Sequence, residues 1–194
     1  MDFDVNNLID FKPIKSIKTY QEKDIEPSQL DSFLPSFDYS KQRTYTFNSL
    51  INEVTVFDAA SYILKQKGGM TTMKLHKLLY YCQAWSLVWD DAPLFNESIE
   101  AWANGPVVKD FFSFHRGSYT IDRVTIGNSD NLSNKQKETI DSVLEFYGGK
   151  ISQWLIELTH LEEPWKAARV GLGPTDRGNR IISLESMAQY YSSL

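Results

Sequence analysis

Three histidines, one cysteine and two adjacent acidic pairs are the residues of this 194-residue chain whose types suit catalysis or metal binding. His76, His115 and His160 stand far apart in sequence, none shares a helix face with another, and none belongs to a spacing such as HxxxH. A zinc site is therefore not expected. Cys82 falls within an apolar stripe between Leu79 and Trp85. A nucleophilic thiol needs a nearby base and an exposed, electropositive setting, so this one reads as a small core residue. Asp90-Asp91 and Glu162-Glu163 are sequence neighbours that project in different directions. They are expected to be solvated loop charges and not an acid/base dyad. The loop over residues 171–180 has three glycines and two arginines, yet fits neither GxxxxGK[ST] nor a strand-bounded GxGxxG. It reads as a helix-linking loop. No catalytic residue, cofactor-binding residue or metal ligand is assigned, and no enzyme activity is expected.

The elements that would position these side chains are helical from residue 55 onward. Thr55 or Val56 opens a segment with Phe57, Ala60, Ile63 and Leu64 on one face, stopped by Gly68-Gly69. Thr71 or Thr72 caps a long helix on which Leu75, Leu78, Leu79, Cys82, Trp85 and Trp89 form a broad stripe. Its second half is apolar nearly all round, as in a buried central helix, while Lys74, His76 and Lys77 are placed on its solvent side. Gly105-Pro106 reads as a helix entry, with glycine at the cap and proline in the first turn. Residues 121–126 favour a short strand or an extended arm. Ser133 with Gln136 is a capping box opening a helix that buries Ile140, Val143, Leu144 and Tyr147. Helices over residues 152–161 and 164–170 follow, and Ser183 caps a last one over 184–191. The predicted fold is all-α: a compact bundle of about seven helices with a minor β-hairpin, plus an irregular N-terminal extension.

Residues 1–52 form that extension and residues 53–194 the domain. The extension includes Pro13, Pro27 and Pro35, has no glycine, and spreads its apolar residues thinly. A short helical turn is expected over residues 28–34, ended by Pro35. It is too apolar for a solvated linker and docks either on its own domain or around a partner. Phe3, Phe11, Phe33 and Phe37 are its candidate partner-binding residues.

The net charge of −5 (20 Lys and Arg, 25 Asp and Glu) argues against duplex nucleic acid and suits a basic partner. One cysteine excludes a disulfide framework and agrees with a cytoplasmic address. No basic segment followed by an apolar one reads as a signal peptide. The longest apolar run, residues 78–89, is broken by Gln83 and Ser86 and is too short to cross a bilayer.

Three blocks occur in order: Lys74-Leu75-His76-Lys77-Leu78-Leu79-Tyr80-Tyr81; Ala101-Trp102-Ala103-Asn104-Gly105-Pro106-Val107-Val108, continuing to His115-Arg116-Gly117; and Thr159-His160 with Pro164-Trp165, followed by Ile181-Ile182-Ser183 and Tyr190-Tyr191. Together they resemble the Panacea domain of SocA-like and GepA-like antitoxins. The resemblance implies an antitoxin of a toxin–antitoxin pair, often tied to prophages and phage defence, that neutralises a cognate protein toxin by direct binding. It implies toxins of varied kind, alarmone-synthetase-like enzymes among them. One branch resembles a proteolytic adaptor that delivers its toxin to a AAA+ protease. Lys74, Lys77, Tyr80, Trp102, Gly105, Pro106, His115, His160, Pro164 and Trp165 are the motif residues, structural or at the interface. Of the polar ones, with Arg116, either role is open: satisfying buried backbone groups or facing a toxin.

Overall fold

The computed structural model describes residues 54–194. The expected turn over residues 28–34 and the aromatics Phe3, Phe11, Phe33 and Phe37 lie outside them. Helix α1 (Val56–Lys67) is fixed at its start by a reciprocal cap: the Thr55 hydroxyl accepts from the Asp58 N–H, and the Asp58 carboxylate accepts from the Thr55 N–H at 2.9 Å. The same buried carboxylate accepts from Asn128 N at 2.7 Å and Asn131 Nδ2 at 3.2 Å. A capping residue thereby also fastens α1 to the 3₁₀ turn at Ser129–Asn131.

Helix α2 (Thr72–Trp89), capped by Thr71, is buried without a break from Leu75 to Leu87. It packs against α1, α4 (Asn134–Tyr147), α5 (Ser152–Leu161) and α7 (Leu184–Ser192), all of which lay an apolar face on it. Leu75, Leu78 and Leu79 have no exposed surface, and burying a leucine contributes on the order of 2 kcal/mol each. The Ser133–Gln136 capping box opens α4, as its sequence predicts, and Ile140, Val143, Leu144 and Tyr147 are buried.

Two small antiparallel ribbons complete the domain. Strand β1 (Met70–Thr71) pairs with β4 (Thr120–Ile121), and β2 (Ile99–Trp102) with β3 (Gly105–Val108), Trp102 facing Gly105 across the turn. Residues 180–182 lie along β2, with Ala101 N donating to Arg180 O and Ile182 N to Ile99 O. Helices α3 (Lys109–His115) and α6 (Glu163–Ala168) are short. The described residues thus hold seven α-helices and four short strands, a mostly helical fold with minor hairpins.

Four local expectations are corrected. Gly105-Pro106 does not enter a helix: Gly105, at φ +94°, closes the β2–β3 hairpin, and α3 starts only at Lys109. Strand over residues 121–126 shrinks to Thr120–Ile121, the length that β1 can pair. His76 and Lys77 are not on a solvent side; both are buried, because the hairpin covers the first turns of α2. Glu162 and the Asp90 carboxylate are not solvated: Glu162 is 3% exposed, and Asp90 accepts from the Thr139 hydroxyl at 2.7 Å.

Candidate functional site

All three sequence blocks meet at the β2–β3 hairpin. Its two-residue turn, Ala103-Asn104, hands the chain to Gly105, whose positive φ disfavours any L side chain. A methyl group there would also sit 2.6 Å from Lys77 Cε and 2.7 Å from Thr159 Oγ1. Glycine is therefore required twice, by backbone and by space. Lys77, from the first block, has no exposed surface and donates through Nζ to the Pro106 carbonyl at 2.9 Å. Among the described residues no carboxylate pairs with it, and burial pushes its ammonium down to about 7.

The third block braces the hairpin from the other side. Trp165 Nε1 donates to the Trp102 carbonyl at 2.9 Å. The His160 ring stacks on Trp165 at 4.1 Å, and its Nε2 is buried without a partner among the described residues. Arg169, one helical turn beyond Trp165, covers that indole at 5.2 Å. Its guanidinium donates to the carbonyls of Ala101, Gly173 and Asp176 at 2.8–2.9 Å. One arginine thus ties the β2 strand to the loop over residues 171–180, which explains that loop's shape without a bound phosphate.

The outer side of the hairpin is half-exposed. Trp102 donates through Nε1 to Glu100 at 2.7 Å, and Lys109 pairs with the same carboxylate at 3.5 Å. The Trp102 ring meets Phe112 edge-on at 4.8 Å. The Arg177 guanidinium lies 5.2 Å over Trp102, and that of Arg116 lies 5.9 Å over Phe112.

A second convergence is hidden from a one-dimensional reading. His76 and His115, 39 residues apart, approach through Nε2 atoms at 2.8 Å, both buried. Val108 N–H donates to His76 Nδ1 at 3.2 Å, so the His76 proton sits on Nε2 and is donated to His115. His115 then carries its proton on Nδ1, which has no partner among the described residues. Burial lowers the proton affinity of both rings, well below the ordinary value for His76. The pair fastens α3 to α2 as two neutral imidazoles.

The third convergence is around Glu162. Its carboxyl accepts from Tyr81 at 3.1 Å and Tyr191 at 2.8 Å, with Tyr80 beside them, fully buried and its hydroxyl unpartnered among the described residues. Burial raises Glu162 to about 8, the tyrosine hydrogen bonds only partly offsetting it. Tyr81 stacks on Tyr147 at 4.0 Å, and Tyr191 meets Trp85 edge-on at 5.3 Å. Tyr80, Tyr81 and Tyr191 are core, and Tyr190 is half-buried.

Of the remaining motif residues, Lys74 donates to the Gly148 carbonyl at 2.7 Å and so caps α4, and Pro164 is buried in the first turn of α6. Arg116 is exposed. The Cys82 thiol is fully buried and burial raises it far from ionisation, so it is no nucleophile. Among the described residues no group of three His, Cys, Asp or Glu side chains can hold a metal ion. Sequence reasoning missed Glu162, Thr159 and Arg169. The i, i+4 spacing of Trp165 and Arg169 was the available signal for the last; for Glu162 there was none beyond its place inside the third block.

These features define a helical scaffold whose block residues brace a hairpin with a half-exposed aromatic edge. Residues 75–166 match the family model described as Antitoxin SocA-like, Panacea domain. No curated protein and no solved structure matches it. No helix of the described residues is long and apolar enough to cross a membrane.

Proposed function

We propose that this chain is the antitoxin of a toxin–antitoxin pair and neutralises a cognate protein toxin by direct binding, covering the toxin's active or substrate site. The family match over residues 75–166 carries the reading. The use of Lys77, Thr159, His160 and Trp165 as braces supports it, since these polar residues hold a surface in place and assemble no reaction centre. In this reading residues 53–194 are the antitoxin domain. Residues 1–52 are a partner-specific extension that presents Phe3, Phe11, Phe33 and Phe37 to grooves of the toxin. An alarmone-synthetase-like enzyme is one toxin class that fits, and the cytoplasm is the compartment.

Co-expression with the product of the adjacent reading frame tests this. Rescue of growth together with co-purification is the expected result. Rescue by faster loss of the toxin, without a stable complex, points to delivery to a AAA+ protease. A toxic neighbour that is neither bound nor silenced overturns the antitoxin reading. Removal of residues 1–50 is expected to abolish neutralisation; full neutralisation by the shortened chain eliminates the role given to the four phenylalanines.

A further inference from the structure

We infer that the hairpin face around Trp102 is a docking surface for an acidic segment of a partner protein, gripped by Arg116 and Arg177. The inference rests on the reading that the chain acts by holding a protein, and adds where and by what chemistry. Trp102 and Phe112 form one edge-on pair at 4.8 Å, and each ring carries a guanidinium over it, Arg177 at 5.2 Å and Arg116 at 5.9 Å. Both arginines are exposed, and among the described residues neither has a carboxylate within ion-pair distance. A guanidinium lying on a ring is held in orientation while its N–H edge stays free, and that fork matches a carboxylate bidentately. Surface arginines usually lose side-chain entropy when they bind; here two are oriented beforehand.

Two arginines lie on this one aromatic pair although the chain's net charge is −5. Glu100 is already engaged by Trp102 Nε1 and Lys109. Below the hairpin, Arg169 is a further cation, bonded to carbonyls and not to acids. A single-stranded nucleic acid would need bare ring faces for its bases. Trp102 is covered by Arg177, and Trp165 by His160 at 4.1 Å and by Arg169. Carboxylates on a protein surface are the ligands this face fits.

The test uses the full chain labelled with nitrogen-15, titrated with a hexaglutamate peptide and, separately, with hexauridylate. Each of the five tryptophans reports through its own indole N–H signal. A saturable shift of the Trp102 signal with hexaglutamate is expected, weaker at high salt. In Arg116→Ala/Arg177→Ala, binding should be on the order of tenfold weaker, and the Lys/Lys variant should fall between, since it keeps charge but loses the planar fork. A silent Trp102 signal, an unchanged response in the double alanine variant, or a stronger response to hexauridylate overturns the inference. Growth rescue by the unaltered chain is scored beside it. Rescue with a silent Trp102 overturns this surface alone. Absence of rescue with a responsive Trp102 overturns the antitoxin reading and leaves the acid-binding face standing.

Discussion

Two neighbouring regions, both touched by the third sequence block, treat polar side chains in opposite ways. Around Glu162 a carboxyl is taken out of water and surrounded by tyrosines, and nothing of it reaches the surface. Around Trp102 the carbonyls are satisfied from beneath by Lys77, Trp165 and Arg169, and the aromatic edge is left half in solvent with cations lying on it. A single residue separates His160, which faces the hairpin, from Glu162, which faces α2 and α7. A single turn at the end of α5 therefore divides a structural anchor from a presented surface. The lesson is that a buried ionisable group in this domain marks attachment of an element, whereas an exposed charge resting on a ring marks a surface built for contact.

The largest test of that contrast is Glu162→Ala. It strands the hydroxyls of Tyr81 and Tyr191 without their acceptor and should cost about 3 kcal/mol in urea unfolding. The pH dependence has a defined sign. Glu162 in the folded protein keeps its proton to about 8, while in the unfolded chain it loses it near 4.5. The folded state binds more protons across that window, so this group makes stability fall as pH rises from 4.5 to 8. Glu162→Gln should flatten that fall; an unchanged slope would mean the carboxyl is hydrated and the anchor is not dry.

Gly105→Ala comes next. The positive φ and the approach to Lys77 and Thr159 predict a loss of about 2 kcal/mol, read as a lower unfolding midpoint. Because the hairpin carries Trp102, the variant should also weaken partner binding, a coupling that Glu162→Gln should lack.

Lys77→Met leaves the Pro106 carbonyl without its donor, a loss of about 1 kcal/mol near neutrality. Here the sign is opposite to that of Glu162. Folded Lys77 releases its proton near 7 and unfolded lysine near 10.5, so the unfolded state binds more protons between them and stability rises with pH over that range. Unfolding midpoints measured from pH 7 to 10 should lose this rise in the methionine variant. Smallest of all in stability is Arg177→Ala, within about 0.5 kcal/mol as for other exposed side chains. Its effect belongs to partner binding. A destabilisation as large as that of Gly105→Ala would move Arg177 from the presented surface to the scaffold.

Helix positions were largely legible in the sequence because their causes are local. Thr55 with Asp58, Ser133 with Gln136, and Ser183 each satisfy N–H groups within a few residues, and Gly68 and Gly148 stop their helices in the same way. The stripe on α2 likewise announced a central helix. Gly105-Pro106 misled for a physical reason: the pair suits a helix start and a hairpin turn equally, and only the partner strand at Ile99–Trp102 decides. His76 and Lys77 misled because polarity on the first turns of a helix predicts exposure unless something covers it. The cover here is a hairpin some thirty residues on in sequence, with a carbonyl at Pro106 placed to receive the ammonium.

What the sequence alone determined, then, was what neighbours within about a turn can enforce: caps, stops, the apolar period of α2, and the order of the three blocks that resemble the Panacea domain. The tertiary structure decided which polar residues are buried and which are displayed. Pairing of His76 with His115, enclosure of Glu162 by three tyrosines, and the seating of Arg116 and Arg177 on Phe112 and Trp102 all join residues from different elements. Desolvation depends on what packs above a side chain, and no spacing along the chain carries that information.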